Sequence, residues 1–343
     1  MRNCRNGRKS DGKERKPVCA PGKILLTGVT GFIGGRLMHT LPAAGVKPRC
    51  MIRSIKKYRE HFPESPEVDL VEADLLDPKS IDRALRGIDL AYYLVHSMGG
   101  RSLLDNNKFV ERDRKAAINF MNAAERSGLR RIIYLGGLGE VGDNLSEHLA
   151  SRQEVARILQ SGKVDTTILR AANIIGAGGA PFEMLRYMVE RFPIIFAPAW
   201  IDTRCQPIDV YDALTYLIGC MEHEETAGRE FDIGGPEIIT YRKMMQIYAR
   251  VRRLKRTIIS APVLTPRLSA LFVSLVSPVP SGVVNPLLEG LKNEVICREN
   301  RIREIIPNNL IWLEDSICNA LMEVETGPGK VLTRQACFLT GEH

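Results

Sequence analysis

The sequence predicts an α/β protein: a doubly wound parallel sheet with a smaller cap toward the C-terminus. Two observations carry this. Short runs that are apolar on both faces recur along the first half of the chain: residues 23–27 (KILLT), 90–95 (LAYYLV), 131–135 (RIIYL) and 166–170 (TTILR). Stretches with helical spacing separate them. Strands buried on both faces need helices above and below, and right-handed crossovers put helices there.

Taken in order, KILLT is the first strand. Residues 32–44 form the first helix, with Ile33, Leu37 and Leu41 on one side and Pro42 expected to stop it early for want of an N–H. Residues 46–53 read as the second strand and 68–72 as the third. Asp77-Pro78 supplies an N-cap and an N1 proline to a helix that Gly87 ends. LAYYLV follows as the fourth strand. A long amphipathic helix over 109–127, closed by Gly128, leads to RIIYL as the fifth. A helix over 146–161 leads to TTILR as the sixth. After Gly176 the rhythm loosens, with helices at 182–191, 209–221 and 241–251 and a returning strand at 229–233. The expected division is a disordered basic tail over 1–22, a sheet core over 23–176 with a returning strand near 229–235, an interleaved cap over 177–325 and a loose tail over 326–343.

With 343 residues, 44% of them apolar and 26% charged, the chain has an ordinary globular composition and the length of about two domains. The net charge of +8 does not argue for nucleic-acid binding. Eight cations against Asp11 and Glu14 fall in the first 23 residues, leaving only +2 for the rest. A nucleic-acid footprint belongs on the folded body, so no nucleic-acid partner is expected. The basic start is not followed by the apolar stretch of a secretion signal. Eight cysteines (4, 19, 50, 205, 220, 297, 318 and 337) show no Cys-x-x-Cys and no histidine pairing, so neither a metal site nor a disulfide framework is expected. Reduced thiols imply a cytoplasmic protein.

The most specific chemistry sits after the first strand, in Thr27-Gly28-Val29-Thr30-Gly31-Phe32-Ile33-Gly34. Three glycines let the backbone turn sharply, approach a pyrophosphate and pack helix against strand. The helix N-terminus beyond them offers unpaired N–H groups and a partial positive charge. With a strand before it and a helix after, this is the fingerprint of a dinucleotide-binding Rossmann sheet. The end of the second strand selects the dinucleotide, because a free ribose 2′-hydroxyl wants a carboxylate there and a 2′-phosphate wants cations. Arg53, Ser54, Lys56 and Lys57 stand there with no acid before Glu60, which favours NADP(H) over NAD(H).

These residues resemble the short-chain dehydrogenase/reductase superfamily, in its atypical, extended-like branch of NAD(P)H-binding proteins, close in look to NmrA-like regulators and the nucleotide-binding accessory subunit of complex I. The likeness runs over about 23–320 and rests on TGVTGFIG (27–34), ADLLD (73–77), RIIYLGGLG (131–139), TTILRAANIIG (166–176), QPIDVYDAL (206–214) and FDIGGPEIITYRKM (231–244). It implies that Asp74 and Leu75 contact the adenine, and that Val95, His96 and Ser97 line the ribose and nicotinamide side.

The family's chemistry uses a Tyr-x-x-x-Lys pair after the fifth strand, helped by a serine at that strand's end. Here the strand ends Gly136-Gly137-Leu138-Gly139, and no tyrosine lies between Tyr134 and Tyr187. His148 and Arg152 hold the i, i+4 spacing of the missing pair, so arginine could grip the ribose and histidine donate a proton. The competing reading makes His148 a helix-surface residue of a protein that binds its cofactor without turning it over, and Ser146 an N-cap.

Residues 268–288 carry no charge, but Pro278, Pro280, Gly282 and Pro286 argue against a membrane span. They read as cap core, as a lid over a quinone- or isoprenoid-like molecule, or as a peripheral membrane foot, and Phe196 and Trp200 are expected to join the same apolar pocket. Two functions stay open. One is an NADP(H)-dependent reductase of an apolar small molecule; the other is a dinucleotide-binding regulator or assembly factor with a protein partner.

Overall fold

A computed structural model describes residues 23–62, 68–96, 106–139, 147–260 and 288–326 of the chain. Seven strands form the central sheet: β1 (Ile24–Leu26), β2 (Arg49–Ile52), β3 (Asp69–Glu72), β4 (Leu90–Tyr93), β5 (Arg131–Gly137), β6 (Asp165–Ala171) and β11 (Glu230–Ile233). Their order is β11-β6-β5-β4-β1-β2-β3 and every pairing is parallel. The order reverses between β1 and β4, and a doubly wound sheet opens its ligand crevice at the carboxyl ends of such strands.

Because strand side chains alternate, each strand feeds two cores. Ile24, Leu26, Tyr92, Ile133 and Leu169 pack under α1 (Phe32–Ala43), α7 (Val210–Glu222) and the short α9 (Ile302–Ile305). Leu25, Ala91, Tyr93, Ile132, Tyr134 and Ile168 pack under α3 (Pro78–Ala84), α4 (Asn106–Ser127) and α5 (Glu147–Gln160). Both faces are covered, as the unbroken apolar strands require. Residues 46–48 precede β2 rather than start it, since Pro48 has no N–H for the ladder. Pro42 lies inside α1, which runs one residue past it, and Gly45 then turns the chain at φ 76°. Asp77 caps α3 by accepting the Lys79 N–H.

The cap collects α6 (Ala180–Arg191), α8 (Tyr241–Val251) and α10 (Leu313–Thr326) around Phe182, Val189, Ile201, Tyr248 and Ile317. Beside them β8 (Ile194–Ala197) and β13 (Thr257–Ser260) pair in parallel. Two-residue strands join cap to core: β7 (Ile174–Ile175) with β10 (Ile208–Asp209), and β9 (Arg204–Cys205) with β12 (Ile239–Thr240). The chain enters the cap, returns to the sheet as β11 and leaves again. The expected tail at 1–22, residues 327–343 of the other tail, Ser97, Ser146, and residues 268–287 of the uncharged stretch lie outside the described residues. No helix of the described residues is long and apolar enough to cross a membrane.

Two acids are buried where α7 begins. Asp209 accepts the Tyr211 N–H at 2.7 Å, and Asp212 accepts Asn308 Nδ2 at 3.0 Å and the Ile311 N–H at 2.9 Å, tying α7 to the linker that precedes α10. Burial pushes Asp209 up to about 6 and Asp212 up to about 7. Such a group holds its proton more tightly folded than unfolded, so its contribution is full below the ordinary carboxylate range and is lost as pH rises through 6 to 7. Asp212→Asn keeps an acceptor for Ile311 and removes the charge. It is expected to stabilise the protein at pH 8 by about 1–3 kcal/mol and to be neutral near pH 4. Thermal melts across that range check this; an equal effect at both ends would refute it.

Candidate active site

The glycine turn is built on two close approaches. Gly28 sits at φ +72°, and a Cβ there would stand 2.5 Å from the Leu94 carbonyl oxygen. A Cβ on Gly34 would stand 2.2 Å from the Gly28 carbonyl oxygen. The first turn of α1 therefore rests directly on the end of β1. Thr27 fixes that strand end: its Oγ1 donates to the Tyr92 carbonyl at 2.9 Å and accepts the Leu94 N–H at 3.0 Å. Thr30 and Gly31 are exposed, and Gly31 caps α1 without a side-chain bond, so the first-turn N–H groups have no side-chain partner at the cap. Gly31, Phe32, Ile33 and Gly34 line a cavity of about 350 Å³. A helix N-terminus packed this closely on a glycine turn, its first-turn N–H groups uncapped, fits a pyrophosphate.

On the adenosine side, Arg53 is exposed at the carboxyl end of β2, next to β1. Ser54 caps α2 (Ile55–His61) by accepting the Lys57 N–H. Glu72 stands at the end of β3, and its Oε2 accepts the Ile55 N–H at 3.1 Å. Asp74 closes a turn through the Leu76 N–H at 2.9 Å, while Leu75 is buried with its carbonyl held by Asn119.

Val95, His96, Gly136, Gly137 and Arg152 line the middle of the cavity. His96 Nδ1 lies 3.1 Å from Asp113 Oδ2. Burial, and after it the Arg152 guanidinium, lower the His96 pKa to about 4 against the pull of Asp113. The ring is therefore neutral near pH 7. A carboxylate only accepts, so Nδ1 carries the hydrogen and Nε2 the lone pair. Arg152 Nη1 donates to the Leu135 carbonyl at 3.2 Å. A Cβ on Gly137 would meet Leu149 at 3.1 Å and Arg152 at 3.3 Å, so the strand end that lacks the serine is also where α5 comes closest. His148 lies in the first turn of α5, and its side chain falls outside the described residues. Tyr134 cannot stand in for the missing tyrosine. Its ring is buried, its hydroxyl donates to the Arg152 carbonyl, and burial pushes its pKa up to about 12.

The far wall belongs to the cap. Met184, Leu185 and Met188 on α6, Met244 and Met245 on α8, and Trp200 face the same cavity. The Trp200 indole N–H is buried without a hydrogen-bond partner among the described residues. Phe196, expected beside it, points outward and is 56% exposed, because β8 alternates and only Ile195 and Ala197 face the core.

Residues 28–183 match a family described as NAD(P)H-binding. This chain carries an NAD(P)H-binding domain. The chain is 27% identical to part of the ceramide reductase of Caulobacter vibrioides, over 200 residues that make up 58% of this chain and 61% of that protein. The match thus spans less than two thirds of that relative. The mitochondrial NADH dehydrogenase [ubiquinone] 1 alpha subcomplex subunit 9 of Arabidopsis thaliana is 20% identical over 296 residues, 82% of this chain and 74% of that one. Among solved structures, the Citrobacter sp. triphenylmethane reductase complexed with NADP(H) superposes with a TM-score of 0.67 at 17% identity, covering 87% of this chain and all of that one. That likeness is one of fold.

Asp113 is the site residue that the sequence reading missed. It sits in a run of charges, Glu111 to Lys115, of which it alone is buried. The signal was its spacing: Asp113 precedes Ala116, Ala117 and Phe120 at i, i+3, i+4 and i+7, on the buried stripe of α4.

Proposed function

We propose that this chain is an NADP(H)-dependent reductase of an apolar small molecule, with His148 and Arg152 in place of the usual tyrosine and lysine. The observation that carries this reading is a single cavity that runs from the glycine turn, past His96 and Arg152, to the methionine-lined cap. Bound NADPH would supply a hydride. The turn at Gly28, Gly31 and Gly34 would hold its diphosphate, and Asp74 and Leu75 its adenine. Arg152 would hold the ribose or the developing oxyanion, and His148 would hand over the proton. Asp113 orients His96 beside Arg152, and burial keeps the ring neutral. The four methionines supply an adaptable apolar wall, so the fitting substrate is apolar. The Caulobacter relative is a ceramide reductase, and a ceramide is a largely apolar molecule.

Titration of the full chain with NADPH and NADH tests the cofactor, and NADPH oxidation with apolar ketones and quinones tests the reaction. NADPH is expected to bind more tightly, and Arg53→Glu to weaken NADPH alone by about 10- to 100-fold, the worth of a charge-assisted contact. Equal affinity for NADH would sink the selectivity. Tight NADPH binding with no oxidation by any ketone or quinone would sink the reductase.

A further inference from the structure

The small sheet of β8 and β13 turns an apolar face to solvent. Ile194 and Phe196 on β8 are 48% and 56% exposed, and Ile259, which pairs with Phe196, is 41% exposed. Single exposed apolar residues are ordinary, but three large ones on adjacent positions of one sheet face are not.

A basic turn adjoins this face. Arg250, Arg252, Arg253, Lys255 and Arg256 fall in the seven residues before β13. Glu314 holds Arg250, and Glu190 and Glu325 hold Arg252. Arg256 spends its guanidinium on the carbonyls of Val189 and Glu190, which staples the turn to the end of α6 without neutralising it. Arg253 and Lys255 are exposed and form no ion pair among the described residues. The turn therefore keeps a net positive charge beside the apolar trio.

We infer that this face docks on an anionic lipid bilayer, with Ile194, Phe196 and Ile259 entering the acyl boundary and the 250–256 turn meeting the headgroups. Apolar side chains flanked by cations are the combination that interfacial binding uses, each part adding to the other. A second copy of the chain fits less well. The trio offers on the order of 300 Å², against about 800 Å² per partner in a stable interface, and like charges would meet. A nucleic acid would use the cations but leave the aliphatic side chains without a role. The α6 helix, whose Met184 and Met188 line the cavity, leads directly into β8, so a bilayer here would lie against the cap.

Co-sedimentation of the full chain with phosphatidylcholine vesicles, with and without phosphatidylglycerol, tests this without requiring turnover, so it can fail while the reductase stands and stand while the reductase fails. Binding is expected only with phosphatidylglycerol and to weaken in raised salt. Arg253→Gly with Lys255→Ser is expected to cost about fivefold per cation. Arg253 lies at φ 53°, a backbone that glycine adopts freely, so that loss would not reflect damage to the turn. Phe196→Ser with Ile259→Ser is expected to abolish binding, and intact NADPH-induced thermal stabilisation in both variants shows that the fold is kept. Four results would overturn the inference: equal sedimentation with pure phosphatidylcholine, unchanged binding in either double variant, duplex DNA bound as tightly as vesicles, or a dimer that Phe196→Ser breaks.

Discussion

Gly34→Ala is expected to weaken NADPH binding by at least about 100-fold and to lower the melting temperature, although it adds one methyl group to a helix. The added Cβ would stand 2.2 Å from the Gly28 carbonyl oxygen and 2.6 Å from its carbon. Both are backbone atoms, so no rotamer change relieves the clash; α1 must withdraw from β1 by an ångström or more. Overpacking of this kind costs roughly 1–3 kcal/mol, and the same displacement carries the first-turn N–H groups away from the diphosphate. Gly28→Ala is expected to be at least as damaging, since it meets the Leu94 carbonyl at 2.5 Å and is strained at φ +72° besides. Gly35→Ala is the control. Its Cβ would lie 3.3 Å from the Val29 carbonyl oxygen, a tight contact that a shift of tenths of an ångström relieves, and alanine favours the helix by about 1 kcal/mol. Fluorescence titration and melting of the three variants decide the matter: NADPH affinity within threefold of wild type in Gly34→Ala would mean that this turn does not hold the coenzyme.

The glycine turn was legible in the sequence because its constraint is local: strand, turn and helix occupy one continuous stretch. The strands from β1 to β6 were legible for the same reason, each marked by its own short run of residues. The cap was not, because its partners are distant in the chain. β8 pairs with β13 across some sixty residues, and Met184 and Met188 meet Met244 and Met245 only once α6 and α8 are packed. Apolar content marked 192–200 as pocket material, yet the alternation of β8 sends Phe196 out and leaves Trp200 in. The His96–Asp113 contact joins the end of β4 to α4, and the charges around Asp113 disguised it as one more solvated residue.

Arg152 and His148 carry the largest expected effects on the reaction. The Arg152 guanidinium is anchored to the end of β5 through the Leu135 carbonyl and depresses the His96 pKa from within the same cavity. Arg152→Met keeps an unbranched apolar stem and removes charge and donors together. Turnover of whichever apolar carbonyl proves to be reduced is expected to fall about 10²- to 10³-fold, the usual worth of a preorganised donor at a developing oxyanion. His148→Ala is expected to cost about 10²- to 10⁴-fold if that histidine delivers the proton, with NADPH affinity retained. A second readout separates a charge effect from mere misfolding. Because Arg152 opposes protonation of His96 while Asp113 favours it, the His96 pKa should rise from about 4 in Arg152→Met, part of the way toward an ordinary imidazole, burial still holding it down. Proton NMR of the imidazole follows that titration directly. A His96 pKa that stays put, with turnover unchanged, would remove Arg152 from the site.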